Sequence, residues 1–279
     1  MPAPSVITLT TDFGLSDTYV GVMKGVILGI NPDARLVDLT HDIRPQDLME
    51  ASVRLQGAVP YFPPGTIHLV VVDPGVGTSR GMVIVRTAAS TFVAPDNGVL
   101  TLPLRSQPPI DAILLTEAAH SFFLKPVSTT FHGRDIFAPI AAHLSAGLPP
   151  VRFGLPYAPA DLVALPILAI EYREIPGGTE IRAPVLYVDH FGNLITALHH
   201  EDLEDFVESG ESGALLDEDV EITMGAKRWT GISTTFASVP VGAPLAYWGS
   251  AGRLEVAVRY GSAAELMGAA VGDKISLRW

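Results

Sequence analysis

An aspartate, a glycine-rich turn and an arginine follow one another in "VVDPGVGTSR", residues 71–80, directly after the apolar stretch of "TIHLVVVD". A run that is apolar on both faces predicts a strand in the middle of a sheet covered on both sides, here ending at Asp73. A carboxylate at such a strand end stands at the lip of the sheet, where open α/β sheets bind ligands. Arg80, at the far end of the turn, is placed to fold back and pair with that carboxylate, which would keep it ionised and fixed. The alternative is a surface salt bridge, worth little. The glycines suit a nest of backbone N–H groups for an anion, but the lysine and spacing of a P-loop are missing.

Other strand ends carry polar groups too: Asp12 after "VITLTT", Asp96 and Asn97 in "APDNG", and Asp189 after "VLYV". Asp96 and Asn97 read as turn formers, whereas Asp12, like Asp73, ends a strand expected to be central. In "TFHGRD", His132 precedes a helix, and Gly133 leaves room for close approach at that helix N-terminus. "VDHFGNLITAL" offers Asp189 and Asn193 either as partners for an amine and a purine edge or as the ends of a tight hairpin. His199 and His200 are adjacent, so on a strand they point to opposite faces, and H-E-x-x-H is absent; no metal site and no cofactor are expected. "TDFG" matches a kinase tripeptide without its lysine or catalytic loop and is set aside.

These groups need elements to carry them. In the first half "VITLTTD", "ARLVDLTHD" and "TIHLVVVD" read as strands separated by helical stretches. Ser16 or Asp17 is the expected cap of the first helix, and Pro45 the first turn of the second. "GMVIVRT" and "STFVAPDNG" are expected as hairpin-like neighbours of the third strand, followed by a strand in "DAILLTE" and a helix in "GRDIFAPIAAHLSAG". This alternation predicts an α/β sandwich with a mostly parallel sheet over residues 1–165. A proline-, alanine- and leucine-rich stretch from Leu148 to Gly178 reads as a linker. Beyond it, short strands with turns over residues 175–279, broken by one helix-like run, predict a small antiparallel β-barrel or sandwich.

Composition narrows the partners. The 279 residues carry a net charge of −12, which argues against nucleic acid and anionic membranes and suits a small cationic ligand. Hydrophobic residues make up 48% and charged residues 17%, against about 25% charged in ordinary domains, so much surface is expected to be hidden against other subunits. There is no cysteine, which excludes disulfides and thiolate chemistry and fits a cytoplasmic location. No signal peptide or membrane span is expected; "DLVALPILAI" is short and interrupted by Pro166.

Taken in order, "LTTDFG", "VDPGVGTSR", "APDNG", "TFHGRDIFAP" and "VDHFGNLIT" resemble the S-adenosylmethionine hydroxide adenosyltransferase family, relatives of fluorinating and chlorinating enzymes. The resemblance spans nearly the whole chain. It implies a hydrolase that splits S-adenosylmethionine into adenosine and L-methionine. It also implies a homotrimer with active sites between the first domain of one subunit and the second domain of its neighbour. It assigns Asp73, Arg80 and His132 to catalysis, Asp12 to the ribose, and Asp189 and Asn193 to the methionine amine and the adenine. Phe236 would pack on the adenine, Ser250 lie near the methionine carboxylate, and Tyr260 fall at the adenine edge. The halogenating relatives carry an arginine after that serine; here the residue is Ala251, and Arg253 is the candidate substitute. Three readings compete: the hydrolase, with a halogenase as its variant; a binding protein that holds an adenosyl ligand without turnover; and a metal-dependent phosphohydrolase using Asp12 or Asp73.

Overall fold

The computed structural model describes residues 6–203 and 219–279, and the chain divides into two compact units, Met1–Leu165 and Pro166–Trp279. In the first, the elements run β1 (Val6–Thr11), α1 (Tyr19–Ile30), β2 (Arg35–Thr40), α2 (Leu48–Ala58), β3 (Thr66–Val71), β4 (Met82–Arg86), β5 (Ser90–Pro95), α3 (Thr101–Ser106), β6 (Asp111–Leu115), α4 (Ala138–Ser145) and β7 (Gly154–Tyr157). They form one sheet in the order β2-β1-β3-β5-β4-β6-β7. Strands β2, β1, β3 and β5 are parallel, while β4, β6 and β7 add antiparallel neighbours.

Helices cover both faces, which explains why β3 is buried throughout. Ile67, Leu69 and Val71 pack into a core with Met23 and Ile27 of α1 and Ile140 of α4. Val70 and Val72 pack the other way, with Ala51 and Leu55 of α2. Full burial of each such side chain is worth about 1.5–3 kcal/mol, so the centre of this sheet is its most strongly fixed part.

Several local expectations give way. Strand β3 ends at Val71, short of Asp73, and its neighbour is β5, in parallel; β4 pairs with β5 and β6 instead. The N-cap of α1 is Thr18, without a side-chain cap bond, so Ser16 and Asp17 lie outside it. Helix α2 starts after Asp47, whose carboxylate accepts from the Glu50 N–H at 2.8 Å, leaving Pro45 in the preceding loop. Residues 148–178, expected to form a linker, carry edge strand β7 of the first sheet and the first strand of the second unit.

The second unit holds β8 (Glu171–Ile175), β9 (Gly178–Val188), β10 (Leu194–His199), β11 (Glu221–Met224), β12 (Lys227–Thr230), β13 (Pro244–Trp248), β14 (Arg253–Val258), α5 (Ala263–Met267) and β15 (Lys274–Arg278). The path β12-β11-β15-β9-β10-β14-β13 is antiparallel, with β8 beside β9. A bridge from Ile232 to Ala246 brings its two ends together, so the sheet is a nearly closed barrel around Ile181, Val185, Leu194, Val256, Ile275 and Leu277. Among the described residues no helix is long and apolar enough to cross a membrane.

Candidate active site

The order β2-β1-β3 means that the chain leaves β1 to one side and returns, through β2 and α2, on the other. The carboxyl ends of β1 and β3 therefore flank a topological switch point, the place where such sheets open a crevice. Thr11 pairs with Val71 across those two strands, so Asp12 and Asp73 both emerge just past this edge. The Asp12 carboxylate accepts from the backbone N–H of Gln46 at 2.8 Å, and Gln46 takes a left-handed conformation, φ 68°, to offer it.

Asp73 and Arg80 close the loop between β3 and β4. The Arg80 Nε donates to both Asp73 oxygens, at 2.9 and 3.0 Å, and its Nη2 donates to Oδ2 as well. Their side chains are only 5% and 9% exposed, which excludes the surface salt bridge. Turn bonds shape the loop: Val76 N–H to Asp73 O, Thr78 N–H to Gly75 O, and the Thr78 hydroxyl to Gly75 O. Gly77 has φ 78°, and a Cβ there would fall 2.4 Å from the Thr129 carbonyl oxygen, so only glycine fits.

His132 joins the pair. Arg80 Nη2 lies 3.0 Å from His132 Nδ1. A guanidinium only donates, so Nδ1 is the acceptor and the ring hydrogen of the neutral imidazole sits on Nε2. Burial first, and Arg80 second, push the His132 pKa down against the opposing charges of Asp73 and Asp135. One turn of π-helix, Gly133–Phe137, leads into α4 behind it. Gly133 does permit a close approach, but to the protein's own core: a Cβ would stand 3.2 Å from the Met23 sulfur and 3.3 Å from Val71.

Two residues read as turn formers also clamp this loop. Asn97 Nδ2 donates to the Val72 carbonyl at 2.9 Å, next to Asp73, and the Asp96 N–H donates to the Gly81 carbonyl at 3.0 Å, next to Arg80. "PDNG" thus holds both ends of "DPGVGTSR", a role whose only sequence signal is that it follows the neighbouring strand.

In the second unit Asp189 follows β9 and ties up its own turn. Oδ1 accepts from the N–H groups of Phe191 and Asn193, and Oδ2 from Asn193 Nδ2, each at 2.8 Å. Asp189 and Asn193 are therefore bonded to each other. Phe236 is 43% exposed, its ring 4.9 Å from that of Tyr247. Ser250 is exposed in the turn between β13 and β14. Tyr260 is 87% exposed with φ 56°, an unusual conformation for a bulky residue. Arg253 is buried, and its Nη1 donates to the carbonyls of Ala197 and Thr196. His199 and His200 do not diverge as expected: β10 ends at His199, alternation ends with it, and the rings lie 4.5 Å apart. With Glu201 they bring one potential ligand atom each within 4.8 Å of one another.

A doubly covered sheet with a buried carboxylate and guanidinium and a half-buried imidazole at its switch point, followed by a barrel-like unit, defines the class: two-unit α/β plus β proteins with their polar chemistry at strand ends. The chain belongs to the SAM hydroxide adenosyltransferase family, whose N-terminal domain matches residues 7–154 and whose C-terminal domain matches residues 183–276. It is 43% identical over 273 residues to an (R)-S-adenosyl-L-methionine hydrolase of Thermus thermophilus, covering 96% of this chain and 97% of that one. A fluorinase of Nocardia brasiliensis is more distant, 26% identical with 90% and 89% covered. Among solved structures, an uncharacterized conserved protein from Thermotoga maritima superposes with a TM-score of 0.85 at 37% identity, covering 97% and 99%.

Proposed function

We propose that this chain hydrolyses S-adenosyl-L-methionine to adenosine and L-methionine, including the (R) sulfonium epimer named for its hydrolase relatives. The observation that carries the reading is the buried Asp73–Arg80 pair bonded to a half-buried His132 at the β1/β3 switch point. A sulfonium is already a good leaving group, so the protein's task is to place an oxygen in line behind the ribose 5′ carbon and keep bulk water away. Asp73 accepts a hydrogen bond from that water, Arg80 fixes the carboxylate, and His132 presents Nε2–H beside it. As the carbon–oxygen bond forms, the carbon–sulfur bond breaks, its electron pair goes to sulfur, and the water proton leaves toward Asp73. Such proton help is worth about 10²- to 10⁴-fold, and positioning supplies the rest.

The same carboxylate separates hydrolysis from halogenation. A fixed negative charge at the nucleophile position repels chloride or fluoride yet accepts a hydrogen bond from water. Asp12 would hold the ribose, Asp189 and Asn193 the amine and adenine, and Phe236, Ser250 and Tyr260 the remaining contacts. Working as a homotrimer in the cytoplasm would let each substrate be shared between neighbouring subunits and would cover the exposed Tyr260 and Phe236. The test is incubation with S-adenosylmethionine, with and without chloride, and separation of the nucleosides. Adenosine and methionine in equal amounts, indifferent to chloride, are expected. A 5′-chloro nucleoside, or intact substrate at saturating binding, would refute the hydrolase reading in favour of the halogenase or the binding protein.

A further inference from the structure

Strands β9, β10, β14 and β13 lie side by side, and their register sets Tyr187, Ile195, Glu255 and Tyr247 in one lateral row. The adjacent row, Val188, Leu194, Val256 and Ala246, faces the barrel core. Side chains alternate along a strand, so Glu255 looks out from the opposite face. It is half-buried there, and its surroundings hold little to compensate it. Oε2 accepts from the Tyr247 hydroxyl. Oε1 lies against Gly249, so close that a Cβ on that residue would come within 1.9 Å of it. Among the described residues no donor reaches Oε1 and no cation acts on the carboxyl; burial and the charge of Asp189 raise its pKa against the pull of Tyr247.

Two links tie this group to the substrate side of the unit. Asp189 is the nearby negative charge, yet its oxygens already serve Phe191 and Asn193. The Tyr247 ring lies against that of Phe236 in a tilted contact, and Gly249 immediately precedes Ser250. An ammonium brings three donors and needs more than the one carboxylate whose lone pairs are largely engaged.

We propose that Glu255 is a second substrate-binding carboxylate, offering Oε1 to the ammonium of the amino-acid end of the ligand while Asp189 supplies charge beside it. The assignment rests on the S-adenosylmethionine reading above. It makes Glu255 a specificity residue, favouring ligands that carry the amino-acid tail over nucleosides that lack it, and it gives Gly249 a reason: any side chain there would displace the carboxylate.

The test uses calorimetry on the full-length protein with two probes, S-adenosylhomocysteine, which has the ammonium, and 5′-methylthioadenosine, which does not, together with steady-state kinetics. In Glu255→Gln, S-adenosylhomocysteine affinity falls about tenfold or more, the loss of a charge-assisted bond, while 5′-methylthioadenosine affinity holds. KM for S-adenosylmethionine rises by a similar factor with kcat nearly unchanged. Equal weakening of both probes would mean a structural role, and no change in either would mean no contact; each overturns the proposal. Should Glu255→Gln fail to fold, Glu255→Asp, which keeps the charge but withdraws it by one methylene, carries the same expectation of selective loss. Wild-type protein that binds neither probe and leaves S-adenosylmethionine intact would sink the underlying function instead, and this assignment with it.

Discussion

Replacing Arg80 by alanine removes every bond its guanidinium makes: Nε and Nη2 to Asp73, Nη2 to His132, and Nη1 to the Gly81 carbonyl at 3.3 Å. The Asp73 side chain, 5% exposed, would be left as an uncompensated buried charge. Breaking a buried pair in this way costs about 3–5 kcal/mol, far above the ~0–1 kcal/mol of an exposed pair. The double variant Asp73→Ala/Arg80→Ala removes both charges, so it should be less destabilised than the sum of the singles by about 2 kcal/mol or more. Tryptophan fluorescence is the wrong probe, because Trp229, Trp248 and Trp279 all lie in the second unit. Native-state hydrogen exchange of the β3 and β5 amides reads the correct sheet. Arg80→Lys separates charge from geometry: a point charge should recover much of the stability, but without the planar fork it cannot bridge Asp73 and His132, and hydrolysis should stay low. A loss below ~1 kcal/mol in Arg80→Ala, with additive singles, would refute the buried-pair argument.

Two further outcomes follow. Asn97→Ala frees the Val72 carbonyl beside Asp73, and hydrolysis should drop about tenfold or more at unchanged oligomeric state, measured as kcat; a wild-type rate would return "PDNG" to an ordinary turn. His68, buried in β3 with Nδ1 bonded to the Thr8 hydroxyl and Nε2 unsatisfied, has its pKa lowered by burial to about 4. Below pH 6.5 the unfolded chain takes up this proton and the native chain does not, so stability is complete above 6.5. It falls by about 3 kcal/mol on the way down to pH 4. Chemical unfolding across that window should show the loss in wild type and much less of it in His68→Gln.

What was legible in the sequence follows physical range. The β3 end, its glycine turn and its arginine are close in sequence, and their pairing is local, so residues 71–80 foretold it. His132 was legible as an element junction, though its contact with Arg80 comes from the fold. Parity and propensity failed where tertiary packing decided. β4 could not be kept from the side of β3, because only the parallel pairing of β3 with β5 places it elsewhere. The 148–178 stretch lacked periodicity because β7 is an edge strand of four residues. His199 and His200 converge because the strand stops between them. Asp189 and Asn193 read as partners for an amine and a purine edge or as the ends of a tight hairpin, and the bond between them within one turn comes from the fold; Glu255, hidden within an ordinary-looking strand, gave no signal at all.

The central claim is attack by water on the ribose 5′ carbon beside Asp73, and turnover in oxygen-18 water tests it most directly. Mass spectrometry of the products should find the heavy oxygen in the 5′-hydroxyl of adenosine and none in methionine, with formation of labelled adenosine lost in Asp73→Asn. Unlabelled adenosine, label carried by the amino-acid product, or an Asp73→Asn variant as fast as wild type would contradict the account.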